Sequence, residues 1–111
     1  MARTILSAPN VFIENTTNLD AVTEATNGSA IDTRWYKDKS VFINVSVNTG
    51  AVTVTIQASH DGTTWFELAA KTYTATTGTD IYSYTSYFPF MRTITSTQSN
   101  STVTTTITGR S

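Results

Sequence analysis

Between Ser40 and Leu68 the chain reads SVFINVSVNTGAVTVTIQASHDGTTWFEL, and its alternation of apolar and polar residues has the period of a strand. Val41, Ile43, Val45 and Val47 share one face; Phe42, Asn44, Ser46 and Asn48 share the other. After Thr49-Gly50 the pattern resumes, with Val52, Val54, Ile56 and Ala58 inward. A two-residue loop at Thr49-Gly50 predicts a hairpin with Val47 opposite Val52, Val45 opposite Val54 and Ile43 opposite Ile56. Every apolar side chain then falls on one face. Ser59 to Thr64 is a second reversal, where Gly62 supplies a positive φ and Asp61 bonds nearby amides. Trp65-Phe66-Glu67-Leu68 returns as a strand, with Phe66 and Leu68 on one face.

The remaining segments follow the same logic. Asp20 to Ala25 is too short for a stable helix and reads as a strand leading to an Asn27-Gly28 turn. Ser29 to Thr33 is another short strand. Tyr73 begins a polar strand turned at Thr77–Asp80, and Ile81 to Phe88 sets Tyr82, Tyr84 and Phe88 on one face, until Pro89. Met91–Thr97 and Thr102–Thr108 are two more strands, joined by Gln98–Ser101, with Val103 and Ile107 inward. The expected fold is therefore all-β: an antiparallel β-sandwich, jelly-roll or Ig-like, of about eight strands. Residues 20–111 form this domain. Residues 1–19 show no sustained period and are either its first strand and loop or an extended N-terminal arm packing on a neighbouring subunit.

Composition narrows the function. At 111 residues the chain is long enough to bury a core without staples, and it has no cysteine for disulfides or thiolate metal sites. A formal charge of -1 with no basic cluster argues against nucleic acid or an anionic membrane as partner. No stretch has the apolar run of a signal peptide or membrane span. Serine and threonine make up roughly a third of the chain. Threonine favours strands while its hydroxyl tolerates water, so neutral, hydrated outer faces are expected, suited to an extracellular or virion-exposed protein. Two prolines and twelve aromatics distinguish it from a disordered mucin-like stalk.

The search for chemistry yields little. His60, the single histidine, lies in a turn beside Asp61, without the partners of a triad or a metal site. The eight carboxylates are scattered; a pair such as Glu67 and Asp80 lacks support as a glycosidase couple. No phosphate-binding glycine loop occurs. The expectation is a protein without catalytic residues, metal or cofactor. Trp35, Tyr36, Tyr82, Tyr84 and Tyr87 could stack on sugars or simply pack the fold. For a protein interface, the candidates are Arg34, Trp35 and Tyr36, together with Ile5, Leu6, Val11, Phe12 and Ile13 of the first segment.

The kernel Ser59-x-Asp61-Gly62-x-x-Trp65, after a Val/Thr-alternating strand, resembles a domain that recurs in capsid-decoration and other structural proteins of tailed phages. Asp20-Ala21-Val22-Thr23 with Gly28–Asp32 resembles that family's entry strands. Tyr84 through Phe90-Met91-Arg92 is similar to its aromatic stretch before an arginine-bearing strand, and Thr102–Gly109 to its last strand. The resemblance covers roughly residues 20 to 109. It implies a non-enzymatic cement protein on the capsid exterior, made in the host cytoplasm, often trimeric, with the major capsid protein as partner. The D-G-x-x-W turn and late arginine strand also resemble discoidin-like carbohydrate- or lipid-binding sandwiches. That resemblance implies a glycan-binding module of a tail or fibre component. This chain is shorter than those modules and lacks their terminal cysteine pair.

Overall fold

A computed structural model describes residues 3–8 and 11–111, with side chains from Ile13 onward. The chain is all-β and antiparallel, without a helix among the described residues. Seven strands follow in order: β1 Arg3–Ala8, β2 Val11–Val22, β3 Ile31–Asp32, β4 Asp38–Ser59, β5 Trp65–Thr74, β6 Gly78–Tyr84 and β7 Phe90–Arg110. The two long strands β4 and β7 pair along their whole length, from Asp38↔Arg110 to Ser59↔Phe90. The first half of β4 pairs with β6 and the second half with β5. The last part of β7 carries β2 and then β1; its first part carries β3.

All seven strands thus belong to one hydrogen-bonded sheet, rather than the two sheets expected of a sandwich. The sheet folds over itself. Thr93 and Thr105 lie twelve residues apart on β7, which would separate them by about 40 Å along a straight strand. Their hydroxyls are 2.6 Å apart. Each long strand therefore turns a corner, and its two halves face one another across a core that includes Val41, Ile43, Val45, Val52, Val54, Ile56, Met91, Val103 and Ile107.

This corrects the expected hairpin. Thr49-Gly50 does not reverse the chain; it lies in the bend of β4, beside the bend of β7 around Gln98–Ser101. The apolar residues on both sides do face one core, but Val45 pairs with Val103, and Val54 pairs with Lys71 and Thr95. Register shifts between Val45 and Val47 change the parity of the strand, so Val47 is 53% exposed and Asn48 turns inward. Asn48 Nδ2 donates to the Thr76 carbonyl, and its Oδ1 accepts from Gly50 N–H. Glycine is needed at position 50 because the strands nearly touch: a Cβ there would lie 2.3 Å from the Ser99 carbonyl oxygen.

Threonine does more inside than the neutral-surface expectation allowed. Thr16, Thr33, Thr55, Thr93, Thr95 and Thr105 are buried. Thr105 Oγ1 accepts the Leu19 N–H, and Asn18 Oδ1 accepts from both Thr93 N–H and Thr93 Oγ1. Thr26 N–H donates to Thr95 Oγ1. These bonds fasten the irregular segment 18–29 along β7 and cover an edge that would otherwise offer free ladder groups.

The residues expected as an arm or first strand run in the sheet. β2 extends across the expected boundary at 19/20, with register shifts on either side of Leu19, and pairs with β7 from Ile13↔Arg110 to Val22↔Val103. Pro9 lies outside the described residues.

Candidate interaction surface

Folding the sheet brings both ends of β4 and of β7, the start of β5 and the end of β6 to one end, together with the loops 33–37, 60–64 and 85–89. We call this the open end, opposite the corner. Its best-built element is the turn after β4. Ser59 Oγ accepts the Asp61 and Gly62 N–H groups, and Asp61 Oδ1 accepts those of Thr63 and Thr64. The Thr64 and Thr63 amides hold the Asp61 carboxyl well below the usual carboxylate range. Gly62 takes φ +83°, as the turn chemistry predicts.

The turn delivers Trp65 to the outer face of β5, where Arg92 of β7 lies across it. The guanidinium carbon is 4.3 Å from the ring centroid, and Arg92 Nε donates to Gln57 Oε1 at 2.8 Å. On the same face Arg34 lies 5.7 Å from the Phe90 ring centroid. The two arginines differ in charge balance. Arg34 makes a two-point contact with Asp32, including 2.7 Å from Nη2 to Oδ2, and this hydrogen bonding raises its pKa. Arg92 has no carboxylate in contact, and burial alone lowers its pKa.

Between the halves of the fold, Ala58, His60, Phe66, Leu68, Tyr87 and Phe88 line a groove of about 260 Å³. Phe66 shares a face with Leu68, as expected, but lies beyond the core and is 57% exposed. Tyr87 is 68% exposed and Trp35 78%. The available chemistry here is stacking, apolar burial and hydrogen bonding. His60 sits 6.0 Å from the Phe66 ring and 3.6 Å from an Asp61 oxygen. No group of three or more metal-ligating side chains occurs among the described residues.

The interface residues named from sequence divide. Arg34 and Trp35 are exposed at the open end. Tyr36 is buried: its hydroxyl donates to Glu14, and its ring fills the space that a Cβ on Gly109 would need. It supports the fold and presents no surface to a partner. Ile13 is half-buried on β2. Ile5 and Leu6 lie on β1, Val11 and Phe12 on β2, and their side chains are outside the described residues. Tyr82 and Tyr84 pack against the core rather than standing free for a sugar.

Sequence reasoning passed over Phe66, because a strand pattern does not reveal where the opposing layer stops. It also missed Lys39, which is only 1% exposed. Lys39 Nζ donates to the Tyr36 carbonyl at 3.1 Å and lies 5.7 Å from the Phe88 ring centroid; desolvation lowers its pKa. Residue type alone does not reveal this burial, because Phe88 comes from the distant loop before β7.

No family model matches the sequence, and no curated protein matches it significantly. Among solved structures, the SPBc2 prophage-derived protein YomS superposes with a TM-score of 0.67 at 12% identity, over 97% of this chain and 99% of that one. PirA superposes with a TM-score of 0.54 at 15% identity, over 85% and 90%. The chain thus shares its fold over nearly its whole length with a prophage-derived protein.

Proposed function

We propose that this protein is a non-enzymatic structural component of a tailed-phage virion, a decoration protein on the outside of the head. It binds the major capsid protein across joints between subunits and reinforces them through buried area. The observation that carries this reading is the end-to-end fold similarity to a prophage-derived protein. The sequence resemblance running from the Ser59–Trp65 kernel to Arg92 supplies the specific role. The open end supplies a surface of suitable character: exposed Trp35, Phe66 and Tyr87 around an apolar groove. Assembly as a trimer fits this role.

The test is co-sedimentation of the purified protein with expanded capsids that lack it, together with the melting temperature of those capsids. Binding with a raised capsid melting temperature is expected; no effect on either would sink the proposal. A second reading, a glycan-binding module of a tail or fibre component, draws on the exposure of Trp35 and Tyr87, whose rings can stack on sugar faces. Glycan-array signals lost in Trp35→Ala or Tyr87→Ala would favour it.

A further inference from the structure

We propose that Arg92, held over the Trp65 ring, is a receptor for a carboxylate side chain of the protein partner. This deepens the proposed function by naming the chemistry at one point of contact, and it rests on that reading only in taking the partner to be a protein.

The argument begins with how charges are paired. Side chains are described for three arginines. Arg34 is bound to Asp32 and Arg110 to Asp38, each with a nitrogen–oxygen distance below 3 Å. Arg92 differs. Its Nε donates to a neutral amide, Gln57 Oε1, and its two Nη nitrogens have no hydrogen-bond partner among the described residues. Glu67 stands on the other side of Gln57, since both Glu67 and Arg92 are register partners of that residue, yet it forms no ion pair with Arg92. Neither Nη is among the buried unpartnered atoms, so both reach solvent, where a carboxylate from another molecule can replace their water.

Geometry prepares this cation for a planar anion. The Trp65 ring, 4.3 Å from the guanidinium carbon, and the bond from Nε to Gln57 together restrict how the guanidinium can turn. The ordering entropy that a flexible arginine loses on binding is thus already lost. The Ser59–Thr64 turn fixes Trp65 in turn, through four amides bound by Ser59 and Asp61. The pair of free Nη groups matches the two oxygens of a carboxylate. The kernel around Trp65 and the arginine-bearing strand, widely separated in sequence, therefore converge on a single binding element.

The experiment uses the intact chain and needs no capsid. A short glutamate-containing peptide is titrated into isotopically labelled protein, following the Arg92 Nε–H and Trp65 indole N–H resonances. The same peptide with glutamine in place of glutamate is the control, and glucuronate is a further arm. A saturable shift with the acidic peptide is expected, about tenfold weaker or absent with the amide peptide. Arg92→Gln should abolish it, and Arg92→Lys should weaken it by losing the flat two-point fit, while Arg34→Gln and Arg110→Gln should leave it unchanged. Equal shifts with both peptides, or a shift that survives Arg92→Gln, would overturn the assignment. A response to glucuronate alone would also overturn it. The acidic-versus-amide comparison on the unmodified protein decides even if a variant fails to fold. Failure of capsid co-sedimentation would sink the decoration role without touching this result.

Discussion

The corner and the open end are built from opposite materials. At the corner the chain is small and polar, with Asn48-Thr49-Gly50 against Gln98-Ser99-Asn100-Ser101. All four non-glycine residues with positive φ among the described residues, Ala21, Ala75, Thr97 and Asn100, lie there or on its approaches. At the open end the backbone is relaxed, Gly62 taking the one left-handed position, and the surface carries Trp35, Phe66 and Tyr87. The corner stores backbone strain to fold one sheet face to face. The open end keeps large apolar groups exposed to water. Backbone strain and exposed aromatic surface are thus separated along the long axis of β4 and β7.

That separation can be broken by substitutions at the two ends. The largest effect is expected for Gly50→Ala, where the added Cβ meets the Ser99 backbone. Denaturant unfolding should show a loss on the order of 3 kcal/mol or more, and a loss below about 1 kcal/mol would mean that the strands can part at the corner at little cost. Next is Thr105→Val, which keeps the shape but leaves the buried Leu19 N–H without its acceptor; about 1–3 kcal/mol should be lost, in the same assay.

Lys39 gives a change of opposite sign. Its folded pKa is lowered, so between that value and its unfolded value of 10.5 the unfolded state binds more protons. Stability from this group therefore rises with pH across that window. Lys39→Met should flatten the rise and stabilise the protein at neutral pH by about 1 kcal/mol, read from unfolding curves at several pH values. Smaller again is Ala75→Gly, which relieves a left-handed alanine while adding freedom to the unfolded chain. A gain on the order of 0.5 kcal/mol is expected from thermal melts. Smallest of all, Trp35→Ala and Tyr87→Ala should leave stability unchanged within about 0.5 kcal/mol while weakening capsid binding; a large stability loss would erase the contrast between the ends.

Much of this was legible in the residues. Alternation identified Val41, Ile43, Val45, Val52, Val54 and Ile56 as core, because strand parity depends only on neighbours in the chain. Ser59-x-Asp61-Gly62 announced its turn for the same reason: the acceptors and amides involved lie within a few residues. The candidate surface was less legible. Trp35 was named from residue type and is exposed, whereas Tyr36, its neighbour, is enclosed by Glu14 and Gly109 from distant strands. Phe66 was read only as sharing a face with Leu68, and it ends in the open groove.

The sequence by itself determined the all-β class, the inward set of most strands and the chemistry of the Asp61 turn, since each rests on local backbone preference and side-chain period. Tertiary structure decided what the punctuation means. Thr49-Gly50 and Gln98–Ser101 carry the signals of chain reversal, but as neighbours in one ladder they bend together instead of ending their strands. Tertiary pairing also decided that threonine would hold segment 18–29 inside, and that Arg92 would lie on Trp65 with its charge unanswered. These depend on which strands become neighbours, and residue pattern along one strand does not specify its partner.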